Sequence, residues 1–151
     1  MGRGGGGEGL VSLTEVIIQC IINVHKALGP GFLENVHQRA LVIELRSTNL
    51  AVEVEKEVLI FYRGQEVGRH RLDLVVENSV ILELKTVEDL SKAHYAQVRS
   101  YLKATGLSIA LLVNFSREKS DFRRVNASDK SLSLSPDSPS PPKTPVALEQ
   151  S

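Results

Sequence analysis

The sequence predicts one α/β domain in which helices flank a mixed central sheet, and three observations lead to this prediction. A chain of 151 residues has the length of one domain and can bury a core without disulfides. Segments with helical periodicity and segments rich in Val, Ile and Leu follow one another in the order α-α-β-β-β-α-β. The last of these β segments is apolar almost throughout, which is typical of a strand buried on both faces.

Two helices open the predicted domain. Ser12 and Glu15 have the spacing of a capping box, so the first helix is predicted to begin at Ser12. Apolar residues then recur at helical spacing until Gly29-Pro30-Gly31 ends the run. The second helix is predicted at residues 33–48, with a buried stripe of Leu33, Val36, Ala40, Leu41 and Leu45.

Strands follow the two helices. Residues 51–62 and 67–76 combine β-branched and aromatic residues on either side of a turn signal at residues 63–66. A short turn at Glu77-Asn78-Ser79 leads into a third strand at residues 80–85. The remaining predicted elements are a helix at residues 91–104, a buried strand at residues 108–115 and an edge strand at residues 121–125.

Both ends of the chain differ in composition from this unit. Residues 1–11 are rich in glycine, which predicts a flexible N-terminus. Residues 127–151 are rich in proline and serine and have no aromatic residue, which predicts a disordered tail. The predicted folded domain therefore extends over residues 12–126.

The overall charge excludes some classes of protein. The 18 basic and 18 acidic residues balance, so the chain lacks the field of a protein that coats nucleic acids, although a local basic site remains compatible. The single cysteine excludes an intramolecular disulfide and a cysteine-rich zinc site. No apolar stretch is long enough for a bilayer, and the N-terminus lacks a signal-peptide pattern, so we expect a cytoplasmic protein without a membrane partner.

The predicted hairpin between residues 67 and 85 places charged side chains together. A three-residue turn centred on Asn78 puts Asp73 opposite Glu83, and strand alternation puts Lys85 on the same face as Glu83. On this register the opposite face consists of Leu72, Leu74, Leu82 and Leu84.

Two opposed carboxylates repel each other, which predicts a cation shared between them. Oxygen ligands on a rigid sheet suit Mg²⁺ or Mn²⁺ better than zinc. An ion between Asp73 and Glu83 would polarise a phosphate oxygen, and Lys85 would orient the attacking water or stabilise developing charge. The alternative interpretation is a solvated strand face with an ordinary ion pair.

These residues also resemble a known family pattern. Asp73, followed after nine residues by Glu83-Leu84-Lys85, resembles the core of the PD-(D/E)XK nuclease superfamily. Gln97 and Tyr101 resemble the Gln-x-x-x-Tyr motif of its RecB-like branch, and on a helix they share one face. This resemblance implies a restriction-endonuclease-like architecture.

A second segment resembles the GxxExxY proteins, a small bacterial family of the same superfamily. Residues 28–34, Leu-Gly-Pro-Gly-Phe-Leu-Glu, carry this resemblance, but His37 stands where that family has tyrosine. The resemblance implies that Glu34 assists metal binding and that Gln97 and Tyr101 position the substrate or brace the site. His37 lies one turn beyond Glu34, so it would face the same site and help to position the substrate. For Gln97 and Tyr101 the equal alternative is that they only pack their helix against the sheet. For Glu34, a carboxylate that stabilises the first turn of its helix is an equal alternative, and for His37 the alternative is an ordinary surface histidine.

Two functional hypotheses follow. The first is a Mg²⁺-dependent nuclease that hydrolyses phosphodiesters of DNA or RNA, with Asp73, Glu83 and Lys85 as catalytic residues. The second is a catalytically inactive module that keeps the nuclease fold and binds nucleic acid or a protein partner. In either case, so small a domain leaves room for a protein partner or a homodimer.

Overall fold

A computed structural model of the chain describes residues 6–116, 118 and 121–128. The predictions for residues 1–5 and for most of the tail lie outside this described part. The elements are α1 Gly6–Leu28, α2 Glu34–Ser47, β1 Val52–Tyr62, β2 Gln65–Val76, β3 Val80–Lys85, α3 Lys92–Thr105, β4 Ile109–Asn114 and β5 Asp121–Asn126.

The strands form one mixed sheet in the order β1-β2-β3-β4-β5. Three neighbouring pairs are antiparallel, whereas β3 and β4 are parallel because α3 connects them as a crossover. The predicted fold class is therefore confirmed: the domain is α/β with a mixed central sheet, consistent with a restriction-endonuclease-like fold.

Apolar side chains cover both faces of the sheet. One face packs against α1 and α2 in a cluster that includes Ile21, Leu41 and Leu82, and the thiol of Cys20 is buried here. The other face packs against α3 through Val98 and Leu102. β4 contributes to both clusters, which explains its nearly unbroken apolar sequence.

The first helix begins earlier than the capping box predicted. α1 starts at Gly6, so Ser12 and Glu15 lie inside the helix, where the preceding turn supplies hydrogen-bond acceptors for their backbone N–H groups. The predicted start at Ser12 is therefore wrong. Nothing in the structure explains why the helix continues through a glycine-rich segment. Among the described residues, no helix combines the length and apolar character needed to cross a membrane.

The buried stripe of α2 was also predicted incorrectly at its N-terminal end. Leu33 is the N-cap and is 73% exposed, and Val36 is also exposed. His37 is buried instead, together with Leu41 and Leu45. The reason is that His37 stacks on Phe115 on the inner side of the first turn, whereas Leu33 and Val36 face solvent.

One turn and one helix show why other boundaries were close to the prediction. Arg63 and Gly64 both have positive φ and form a tight two-residue turn, so β2 begins at Gln65 and not at residue 67. α3 begins after Ser91, whose side chain accepts a hydrogen bond from the backbone N–H of His94. α3 ends at Gly106 in the left-handed region.

Candidate active site

The site lies where β2 and β3 separate. The predicted register is confirmed, since Leu74 pairs with Leu82 and Val76 pairs with Val80 across the three-residue turn. This ladder would continue to Asp73 and Glu83, but the backbone pairing stops one step earlier. The two acidic residues therefore stand at the fork of the two strands and do not form a regular backbone pair.

Asp73 uses its side chain to replace the missing backbone contact. Its Oδ2 accepts a hydrogen bond of 2.8 Å from the backbone N–H of Leu84 on β3. Its own carbonyl accepts a hydrogen bond of 3.3 Å from Nε2 of Gln38 on α2. The carboxylate is therefore fixed in the fork by β3, and the backbone of Asp73 is tied to α2.

The β1–β2 ladder is also interrupted at this point. Val54 pairs with Leu74 and Lys56 pairs with Leu72, but Glu55 and Asp73 between them do not pair. Glu55 has φ 52°, a left-handed conformation that is rare for a residue with a side chain.

This irregularity corrects one detail of the predicted hairpin. Regular alternation would place Leu72 on the same face as Leu74. Instead, Leu72 packs in the cluster under α3, whereas Leu74 packs in the cluster under α1 and α2. The alternation of β2 changes at Asp73 because the pairing with β1 breaks there.

Glu83 and Lys85 lie on β3 beside this fork. Glu83 is only 5% exposed, and its Oε1 has no hydrogen-bond partner among the described residues. Its Oε2 lies 3.6 Å from Nζ of Lys85. A single ammonium group therefore faces a carboxylate pair, and one buried carboxylate oxygen remains unsatisfied.

Burial and mutual repulsion disfavour two negative charges at this place. Burial, together with the nearby Asp73 carboxylate, raises the pKa of Glu83 to about 8. Burial also raises the pKa of Asp73, and Glu34 and Glu55 act in the same direction, while the bond from Leu84 opposes them. The surroundings of Asp73 and Glu83 therefore do not fully compensate two negative charges on this carboxylate pair.

Gln97 and Tyr101 on α3 both border the carboxylates. Oε1 of Gln97 accepts a hydrogen bond of 3.1 Å from Nζ of Lys85, so the amide holds the ammonium group in place. Tyr101 is buried and packs edge-on against His70, with ring centroids 4.7 Å apart. Burial raises the pKa of Tyr101, and the charges of Glu83 and Asp73 raise it further, so this phenol lies within electrostatic reach of both.

Glu34 also reaches the site. It lines a cavity of about 440 Å³ between the start of α2 and the fork, together with Leu33, Asn35, Gln38, Glu55, Asp73, Leu84 and Thr86. The charge of Glu34 contributes to the raised pKa values of Asp73 and Glu83. The structure thus brings Glu34 together with Asp73, Glu83, Lys85, Gln97 and Tyr101.

His37 is placed differently from the sequence-based expectation. It is fully buried, its ring stacks on Phe115 at 4.2 Å, and its Nε2–H donates a hydrogen bond of 3.0 Å to the carbonyl of Gly29. A direct contact between His37 and substrate would require this ring to leave the core.

Two site residues were missed by the sequence analysis. Gln38 follows Glu34 by one helical turn, so the i, i+4 spacing on α2 was a usable signal. Glu55 gave no such signal, because its position across from Asp73 depends on the exact length of the turn at Arg63 and on a shift in register near Ile60.

The donor set fits a hard divalent cation. Asp73 and Glu83 supply carboxylate oxygens, and Glu83 has a buried oxygen without a partner. Over residues 6–116, 118 and 121–128, no three His, Cys, Asp or Glu side chains form a ready metal cluster.

Comparisons with known proteins concern the family and the fold of the chain. A model of the PD-(D/E)XK nuclease superfamily matches residues 11–125. The solved structure titled "Crystal structure of SSO0001" is similar, with a TM-score of 0.51 and 21% sequence identity over 65% of this chain and 52% of that protein. The chain thus spans about half the length of that protein, and the likeness concerns the fold alone.

A comparison with curated proteins found no significant match. The narrower resemblance to the GxxExxY proteins stays a prediction. The family model, however, covers nearly all of the described domain, including the fork and the helix that carries Gln97. The chain therefore belongs to the PD-(D/E)XK nuclease superfamily.

Proposed function

We propose that this protein is a metal-dependent nuclease that hydrolyses phosphodiester bonds in DNA or RNA, with Mg²⁺ or Mn²⁺ as its ion. The observation that carries the proposal is the fork of β2 and β3, where Asp73, Glu83 and Lys85 converge and one buried oxygen of Glu83 has no partner. A solvated strand face would not bury these charges.

The chain's own residues have distinct roles in this proposal. Asp73 and Glu83 would hold the ion, and Glu34 at the cavity wall would assist them. When bound, the ion supplies a Lewis acid that polarises a phosphate oxygen and acidifies a water molecule. Lys85 stabilises negative charge that develops on the phosphate, because Gln97 holds its ammonium group at the edge of the carboxylate pair.

Metal binding and cleavage test the proposal together. Calorimetric titration with Mg²⁺ and Mn²⁺ would compare the wild-type protein with Asp73→Ala/Glu83→Ala, and the same samples would be incubated with labelled single- and double-stranded DNA and RNA. We expect the double substitution to abolish both metal binding and cleavage. The matched control Glu53→Ala/Glu66→Ala removes two exposed carboxylates of the same sheet and should leave both unchanged.

The outcomes separate the two hypotheses. A folded wild-type protein that binds neither ion would refute the proposed site. Binding of nucleic acid without metal and without cleavage would instead favour the inactive module.

A substitution of the lysine tests its separate role. Lys85→Met should lower the cleavage rate by about 10²–10³-fold, since it removes a preorganised charge at the reacting phosphate. Metal binding should be retained, because the carboxylate ligands remain. Equal loss of metal binding and cleavage would contradict this assignment and make Lys85 a structural counter-ion.

A further inference from the structure

An exposed apolar residue lines the cavity beside Asp73, and an exposed aromatic residue precedes it in the chain. Leu33 is 73% exposed and lines the same cavity as Asp73, while Phe32 beside it is 45% exposed. Val36, one turn further along α2, is also exposed. Folding does not account for Leu33, since most of its surface stays in water.

Helix capping does not account for Leu33 either. It occupies the N-cap of α2, where Ser, Thr, Asp or Asn would stabilise the first turn, and it makes no side-chain cap hydrogen bond. An apolar side chain therefore stands at a position that favours polar residues, at the mouth of a polar cavity.

The ring of Phe32 is held by a buried aromatic stack. It meets the ring of His37 edge-on, with centroids 6.0 Å apart. His37 in turn stacks on Phe115, with ring centroids 4.2 Å apart, and donates a hydrogen bond to the carbonyl of Gly29. These buried contacts of His37 support the ring of Phe32 and the loop that carries it. This arrangement presents a preorganised aromatic surface to solvent.

The cavity next to this surface has little positive charge. Its volume is about 440 Å³, and none of its lining residues, all within the described part of the chain, is Lys or Arg. Attraction of phosphate to the cavity would therefore depend on the ion and on Lys85 proposed above, and stacking of a base on Phe32 would add affinity that does not depend on charge.

Only an unpaired base can use such a surface. In a duplex the faces of each base are covered by its stacked neighbours, whereas single strands and loops can turn a base outward onto an aromatic side chain. Resting on the nuclease function proposed above, we propose that Phe32 and Leu33 form a base-stacking platform that directs the site to single-stranded or locally unpaired nucleic acid.

Fluorescence of 2-aminopurine tests the platform directly. Short DNA and RNA strands carrying this base, alone or annealed to a complement, would be titrated in Mg²⁺ with the Lys85→Met protein, which is expected to bind them and to cleave them about 10²–10³-fold more slowly than the wild-type protein. We expect the single strands to bind about tenfold more tightly than the duplex and to show quenched fluorescence.

Substitutions then connect the signal to the two side chains. Phe32→Ala and Leu33→Ala should each weaken single-strand binding by about tenfold, and Phe32→Ala should remove the quenching. Phe32→Trp should restore both. Ile43→Ala is the matched control, because Ile43 is an exposed apolar residue of α2 outside the cavity and should change neither.

The results distinguish this inference from the proposed function. Equal affinity for single strands and duplex, or binding and quenching that survive Phe32→Ala/Leu33→Ala, would overturn the platform even if the wild-type protein cleaves nucleic acid. Quenching that depends on Phe32 would support the platform even if the wild-type protein cleaves nothing.

Discussion

Glu55 combines an unusual backbone conformation with a place at the cavity wall. Its φ of 52° lies in the left-handed region, and its carboxylate lies 3.7 Å from Nη1 of Arg71. Residues held in such conformations concentrate at functional sites, where the surrounding structure maintains the strain. Here the strained residue lies next to Asp73 at the break in the β1–β2 ladder.

This strain predicts an inverted order of stability at position 55. At an ordinary strand position, a protein with glycine is less stable than the same protein with alanine. We therefore expect Glu53→Gly to have a lower free energy of unfolding than Glu53→Ala. Because glycine tolerates positive φ, Glu55→Gly should be more stable than Glu55→Ala by about 1 kcal/mol. Urea unfolding of the four variants measures these differences in the free energy of unfolding. An Ala variant at position 55 as stable as the Gly variant would show that the left-handed conformation is absent in solution.

The buried imidazole of His37 predicts a pH dependence of stability. Burial lowers its pKa below the ordinary value, which is about 6.5 in an unfolded chain. The folded state therefore favours the neutral ring, so this contribution to stability is complete above the unfolded pKa and is lost as the pH falls through and below it.

Urea unfolding at pH 7.5 and at pH 5 would compare the wild-type protein with His37→Gln. Glutamine can still donate to the carbonyl of Gly29 but does not titrate, so the variant should lose less stability on acidification. Buried carboxylates with raised pKa values act in the opposite direction in both proteins, so the difference between them isolates His37. Equal losses would contradict the prediction.

At the scale of elements, the loop after β3 is tied to the end of β4 by one buried amide. Asn114 is fully buried; its Oδ1 accepts bonds from the backbone N–H groups of Val87 and Ser116, and its Nδ2 donates to the carbonyl of Val87 at 2.7 Å. This amide also lies opposite Lys85 in the parallel pair. It therefore fixes the end of the strand that carries the proposed catalytic lysine.

Asn114→Ala should lower the free energy of unfolding by on the order of 1–2 kcal/mol, because it leaves the part-buried backbone N–H groups of Val87 and Ser116 without their acceptor, while the carbonyl of Val87 keeps the hydroxyl of Ser116 as a donor. Chemical denaturation measures the loss. A decrease within the small range of ordinary surface substitutions would show that water replaces the amide and that the loop is not held by it.

The element boundaries that were predicted well are those with strong local chemistry. Ser91 caps the N-terminus of α3 and Gly106 ends the helix in the left-handed conformation. Both effects involve only residues that are close in sequence, so they can be predicted from the sequence. The capping box at Ser12 had equally good local chemistry, yet α1 continues through it to Gly6. A local signal states where a helix can begin, whereas the surrounding chain decides whether it extends further.

At the scale of the whole molecule, the ends of the folded domain can be located by proteolysis. The sequence predicts a folded unit at residues 12–126, and the family model spans residues 11–125. Limited proteolysis of the full chain with a nonspecific protease should therefore leave a resistant fragment that ends near residue 126 and begins no later than residue 12. Mass spectrometry of the fragment measures its ends. Early cleavage inside α2 or the sheet would contradict a single cooperative domain.

The order of the elements and the register of the β2–β3 hairpin followed from the sequence alone. Both depend on short-range properties: periodicity separates helices from strands, and the three-residue turn at Asn78 sets which residues of the two strands face each other. Asp73, Glu83 and Lys85 could therefore be brought together without coordinates.

The fork between the strands, the strained Glu55 and the burial of His37 were decided only by the tertiary structure. Each depends on contacts between segments far apart in the chain. Asp73 bonds to the backbone of Leu84, Glu55 lies beside Asp73 across a ladder that contains irregularities, and His37 lies against Phe115 from the end of the sheet. Periodicity reports which face of an element is apolar, but it carries no information about which distant group will meet that face.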